Sequence, residues 1–118
     1  MSEAVEETTV DTEHIRVLLV DDHDLFRTGL RNLLEEQGVV IVGEAANGAD
    51  ALRLVRDDAP DVVVMDLNMP GMTGVEATRQ IGRTAPLTRV VVLTISDQEQ
   101  DVMDAILSGA CGYLLKDS

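Results

Sequence analysis

The stretch from Asp61 to Gly71, DVVVMDLNMPG, constrains the fold more than any other. Val62, Val63 and Val64 form an uninterrupted β-branched run, the pattern of a strand buried on both faces. Pro70-Gly71 is turn punctuation, so the strand stops near Met65 or Asp66. A carboxylate at the end of a buried strand is costly to desolvate unless a charge or a metal meets it. Taken alone, Asp66 could simply cap its strand and loop. The other strand ends decide between these readings.

Ile15 to Val20 reads as a first strand and ends in Asp21-Asp22-His23. Asp24 can cap a first helix, with Leu25, Phe26, Leu30, Leu33 and Leu34 at helical spacing and Gly38 at its end. Val39 to Val42 is a short second strand. Asn47-Gly48 turns the chain into a second helix, Ala49 to Arg56, with Ala51, Leu52 and Val55 inward; Pro60 stops it. After Gly71, Thr73 to Arg83 is a third helix with Val75, Thr78 and Ile81 on one face. Arg89 to Leu93 is a fourth strand that terminates at Thr94. Asp97 to Ser108 is a fourth helix with Val102, Met103, Ala105 and Ile106 as its buried stripe. Cys111 to Leu115 is a fifth strand, followed at once by Lys116.

Strands and helices therefore alternate. Apolar strands separated by helices imply a parallel sheet covered on both faces and joined by right-handed crossovers. The expected fold is α/β, a doubly wound five-stranded parallel sheet, for which the flavodoxin-like order 2-1-3-4-5 is one of the two common solutions and the one expected here. A final helix would ordinarily follow the fifth strand and is absent from this chain. The sheet near the first and fifth strands is accordingly expected to be uncovered, or covered by another chain, and a homodimer or oligomer is expected.

At 118 residues the chain suits one domain, expected over 15–118, after an acidic leader over 1–14 expected to be disordered. A formal net charge of -13 repels nucleic acid, so DNA binding by this chain alone is not expected. One cysteine, Cys111, cannot make an intramolecular disulfide and is expected to pack inside. No run suits a membrane span and the acidic start is unlike a signal peptide, so a cytoplasmic protein is expected.

In a parallel sheet all carboxyl ends share one edge. Asp21 and Asp22, Asp66, Thr94 and Lys116 must therefore gather there. Three carboxylates repel, by about 4 kcal/mol for a pair at ~4 Å in an effective dielectric of 20. A hard divalent cation, Mg²⁺, relieves this, and it is usually met with a phosphate. Lys116 adds a compact positive charge and Thr94 a hydroxyl donor. Asp66 then reads as a nucleophile for phosphoryl transfer, with an aspartyl phosphate as product.

These motifs carry a resemblance. VLLVDDHDLFRTGL, VVVMDLNMPGMTG, VVVLT and GYLLKD occur in an order and spacing similar to the receiver domains of two-component response regulators, over about Ile15 to Asp117. The wording of DDH and GYLLKDS further resembles the NarL/FixJ subfamily, whose members join a receiver to a LuxR-type helix-turn-helix domain that binds DNA. The resemblance implies a CheY-like fold with Asp66 as phosphoacceptor, taking its phosphoryl group from a sensor histidine kinase or a small phosphodonor. It implies a Mg²⁺ site of Asp21, Asp22, Asp66 and Asn68, in which Asp22 ligates directly, Asp21 through water and Asn68 through its backbone carbonyl. Lys116 would bind a phosphoryl oxygen, Thr94 would report the phosphoryl group's arrival, and Tyr113 would be the switch aromatic. DNA would be reached only through an output domain that this chain does not contain. Asp117 stands where many receivers have Pro, and Ile95 is bulkier than the residue many of them place after the Thr.

Two other classes compete. A haloacid-dehalogenase-like phosphatase also uses an Asp after a parallel strand, but wants a second acid where this chain has Asn68. A phosphorylation-independent pseudo-receiver would have no need of the acidic pair, Asp66, Thr94 and Lys116 together. His23, beside two acids, reads as a helix-entry residue, because Mg²⁺ prefers oxygen. Gly43 and Gly48 have phosphate-loop spacing, but Ala49-Asp50 stands where Lys and Ser or Thr are required.

Overall fold

The computed structural model describes residues 15–67, 69, 71–94, 103–104 and 106–115. Its strands are β1 (Arg16–Val20), β2 (Val40–Ala45), β3 (Val62–Asp66), β4 (Arg89–Thr94) and β5 (Gly112–Leu115). Three helices connect the first four: α1 (Asp24–Glu36), α2 (Gly48–Asp58) and α3 (Gly74–Thr84). Residues 103–104 and 106–107 are also helical, within the fourth helix expected from the sequence. Ser108, expected to end that helix, lies in a turn; the remaining residues of that helix, the leader and the fifth strand's sequel lie outside the described residues.

The five strands form one sheet in the order β2-β1-β3-β4-β5, and each pair is parallel. This is the flavodoxin-like order, one of the two common solutions that the alternation allowed. Side chains alternate across it. Leu18, Val20, Val63, Met65, Val90 and Val92 point into a core with Ala51 and Val55 of α2 and Ala77 and Ile81 of α3. Val17, Leu19, Val64 and Leu93 point to the other face, where Phe26, Leu30 and Leu34 of α1 pack. The period of two along the central strands thus explains how the β-branched runs serve both faces of the sheet.

Local chemistry sets the helix starts. Asn47 begins α2 with its side chain accepting from the Asp50 backbone N–H at 2.8 Å. Thr73 begins α3 by accepting from the Glu76 N–H at 3.1 Å. At the end of α2, Ala59 takes a left-handed conformation (φ 46°) before Pro60. Arg16 donates there to the carbonyls of Ala59 (2.9 Å) and Asp58 (2.8 Å), placing a cation at the negative end of the helix.

Several expectations are corrected. The cap of α1 is His23, not Asp24, and its side chain makes no capping hydrogen bond. Leu25 and Leu33 share the helical spacing but are 87% and 56% exposed, because the sheet meets α1 along Phe26, Leu30 and Leu34. β2 runs on through Gly43 and Glu44 to Ala45, since its register shifts between Val17 and Leu18 and lets it follow β1 to the end. Met103 and Ile106 are exposed, not buried. So is Cys111, which precedes an edge strand. The first strand is well covered. On the fifth, Leu114 is 54% exposed; it pairs with Leu93 and so extends the α1 face of the sheet.

Candidate functional site

All five strands run the same way, so their carboxyl ends share an edge. β1 ends at Val20, and Asp21 and Asp22 follow. β3 ends at Asp66 itself, and β4 at Thr94. β1 and β3 are neighbours with Val20 paired to Met65, which sets Asp21 beside Asp66. Oxygens of Asp21, Asp22 and Asp66 and a ring nitrogen of His23 lie within 4.8 Å of one another.

Burial sharpens the arrangement. Asp21, Asp66 and Thr94 are at most 2% exposed. The Asp21 carboxylate accepts from the His23 backbone N–H at 2.7 Å, a local turn that folds the loop back on its own carboxylate. The His23 ring stands over the cluster, with Nδ1 3.1 Å from Asp21 Oδ1, 3.4 Å from Asp22 Oδ1 and 4.0 Å from Asp66 Oδ2. Asp22 Oδ1 is buried and accepts no hydrogen bond among the described residues. A buried carboxylate oxygen without a donor is an expensive arrangement for a protein to keep. Hard oxygen donors converging from two loops suit a small divalent cation.

The loop carrying Asp21 is held from behind. The Asp21 N–H donates to the Ala45 carbonyl at 3.0 Å. The Asp21 carbonyl accepts from Arg27 Nη1. Arg27 Nε donates to Glu44 at 2.7 Å, and Arg31 Nη1 bonds the other Glu44 oxygen. Burial pushes the Glu44 carboxyl up, but the hydrogen bonds from Arg27 and Arg31 outweigh it and hold the group below the usual glutamate range. On the far side of Asp66, α3 starts at Gly74, whose N–H donates to the Leu67 carbonyl at 3.4 Å.

The structure therefore brings together Asp21, Asp22 and Asp66, and places Thr94 at the same edge on the adjacent strand. Tyr113 is half-exposed on β5 and pairs with Val92. Asn68 and Lys116 lie outside the described residues. His23 does enter the helix, as expected, yet its ring also faces the carboxylates. Arg27, Glu44 and Gly74 were not legible as parts of the site. Arg27 follows Asp24 by three residues, which marks an ion pair on a helix but says nothing of a loop carbonyl.

Comparison with known proteins fits this geometry. Residues 17–118 match the family model of the response regulator receiver domain. Response regulator GacA of Pseudomonas aeruginosa is 46% identical over 103 residues, covering 86% of this chain and 48% of its own length. The nitrate/nitrite response regulator NarL of Escherichia coli K12 is 42% identical over 106 residues, covering 89% of this chain and 49% of its own. The chain thus spans about half the length of these curated relatives. A crystal structure of a LuxR-family two-component response regulator from Aurantimonas superposes with a TM-score of 0.84 at 42% identity, over 87% of this chain and 74% of that one. With its sheet order, its acidic strand ends and these matches in agreement, the chain belongs to the response regulator receiver domain family, and to its NarL type.

Proposed function

We propose that Asp66 accepts a phosphoryl group in a Mg²⁺-dependent transfer, and that the added charge switches a neighbouring surface of the protein. The observation that carries this reading is the convergence of three carboxylates from two strand ends within 4.8 Å. The donor is a sensor histidine kinase or a small phosphodonor. An Asp66 carboxylate oxygen attacks phosphorus. The new O–P bond forms as the donor's N–P or O–P bond breaks, and the electron pair leaves with the imidazole or the carboxylate of the donor.

Asp22 and Asp66 would hold Mg²⁺ directly, Asp21 through water, and Asn68 through its carbonyl. The cation, when bound, neutralises charge on the phosphoryl oxygens. Asp21 and Asp22 keep the cation site acidic, and the burial of Asp21 and Asp66 limits competing water. Lys116 takes a phosphoryl oxygen as a point charge. The Thr94 hydroxyl donates to the phosphoryl group, and Tyr113 follows by changing rotamer. The phosphorylated state is then a population shift on the face that carries β5.

In the whole protein this face controls a LuxR-type helix-turn-helix domain, and DNA is contacted there and not by residues 15–118. A cytoplasmic location fits this reading, and no helix among the described residues is long and apolar enough to cross a membrane. Pairing of copies belongs to the same reading; light scattering before and after phosphorylation tests it.

Incubation with acetyl phosphate and MgCl₂, read by intact mass, tests the chemistry. One phosphoryl adduct is expected, lost with EDTA and lost in Asp66→Asn. An unmodified wild-type chain under those conditions overturns the proposal.

A further inference from the structure

We propose that Arg27 is a positioning residue for the cation site, acting through the backbone of Asp21; this rests on the Mg²⁺ reading above. Its guanidinium spans three partners. Nη1 donates to the Asp21 carbonyl, Nε to Glu44 Oε1 at 2.7 Å, and Nη2 to Asp24 Oδ1 at 2.8 Å. Glu44 is the anchor. It lies on β2, and the next residue, Ala45, accepts the Asp21 N–H at 3.0 Å. Both polar groups of the Asp21 main chain are thus tied to the end of one strand, one directly and one through Arg27. The carboxylate is oriented in turn by the His23 N–H at 2.7 Å. A loop with two adjacent acids would otherwise spread to relieve their repulsion.

Arg31 supplies an internal comparison. It bonds the second oxygen of Glu44 and reaches Glu35 at 3.3 Å, but has no bond to the Asp21 loop. Losing Arg31 removes a Glu44 contact without touching Asp21. Charge and position also act in opposite directions here. Arg27 is a cation near a cation site, so its charge by itself disfavours Mg²⁺, and removing it would tighten binding. Positioning demands the reverse. A lysine keeps the charge but lacks the planar fork that bonds Glu44 and a carbonyl together.

The test is a ¹H–¹⁵N NMR titration of the chain with MgCl₂, with thermal unfolding of each variant alongside. Saturable shifts are expected in the wild type at residues 21, 22 and 66. Arg27→Gln is expected to weaken Mg²⁺ on the order of tenfold, the scale of lost partners of metal ligands. Arg27→Lys is expected to remain weakened despite its charge, and it carries the test if Arg27→Gln does not fold. Arg31→Gln is expected to bind within about twofold of wild type, since its Asp21 loop contacts are intact. Unchanged or tighter binding in the Arg27 variants overturns the inference. So does an equal loss in Arg31→Gln, which would signal general loosening. A wild type without saturable shifts overturns the cation-site reading itself, and this inference with it.

Discussion

A Cβ built on Gly74 would overlap the backbone carbonyl oxygen of Asp66 and stand 2.7 Å from Leu67 Cα. The first residue of α3 therefore rests directly on the end of the central strand. Only the smallest side chain permits that approach. Gly74→Ala must push α3 outward or shift Asp66. We expect a loss of roughly 1–3 kcal/mol, as for other overpacked sites, read as a lower urea midpoint. Acetyl phosphate labelling of Asp66 should fall with it, because the displaced backbone is that of the acceptor residue.

Asp22 brings charge that the chain without a cation does not need. Asp22→Asn relieves repulsion within the cluster while keeping the shape of the side chain. Its thermal midpoint in EDTA should lie above that of the wild type. Added MgCl₂ should raise the wild-type midpoint, since a ligand that binds only the folded state stabilises it by mass action. The same addition should do little for the variant. A wild-type midpoint that ignores MgCl₂ would contradict the assignment.

The Glu44 network has a pH signature. Its carboxyl is held below the usual glutamate range by Arg27 and Arg31. In acid the unfolded chain takes up the proton first, so stability contributed by Glu44 is fully present above the unfolded value of about 4.3. It is lost as pH falls through the lowered folded value. The two arginines are shifted upward and stay charged throughout, so they add no slope. The difference in urea midpoint between wild type and Glu44→Gln should therefore be constant near neutrality and shrink below about pH 4.

Packing separates two apolar side chains that look alike in the sequence. Ile81 is 0% exposed between α3 and the sheet, and Ile81→Ala should cost about 2–5 kcal/mol. Leu25 is 87% exposed at the start of α1, and Leu25→Ala should change stability by less than about 0.5 kcal/mol. Chemical denaturation of the two variants checks both values.

The strands were legible because a parallel strand buried on both faces leaves a dense local mark. Val62 to Val64 and Val90 to Val92 carry it, and both lie where that mark placed them. A doubly wound parallel sheet followed from alternation and crossover handedness, which are properties of the chain's connectivity; these left two common orders, and the sheet takes the flavodoxin-like one. The convergence of Asp21 with Asp66 followed too, because a parallel sheet sends every carboxyl end to one edge. α1 was legible as a helix but not in its orientation. Five leucine and phenylalanine positions share its period, and a period alone does not say which arc meets the sheet.

Residue types and their spacing thus determined the elements, their order and the edge on which the acids meet, since each depends on local pattern and on the direction of the strands. The tertiary structure decided how that edge is held. Arg27 bonds the Asp21 carbonyl directly while it is anchored to Glu44, 17 residues away in the chain, and Gly74 seats α3 on the carbonyl of Asp66. Such contacts depend on distances between separate elements, and those distances exist only once the sheet and its helices have packed.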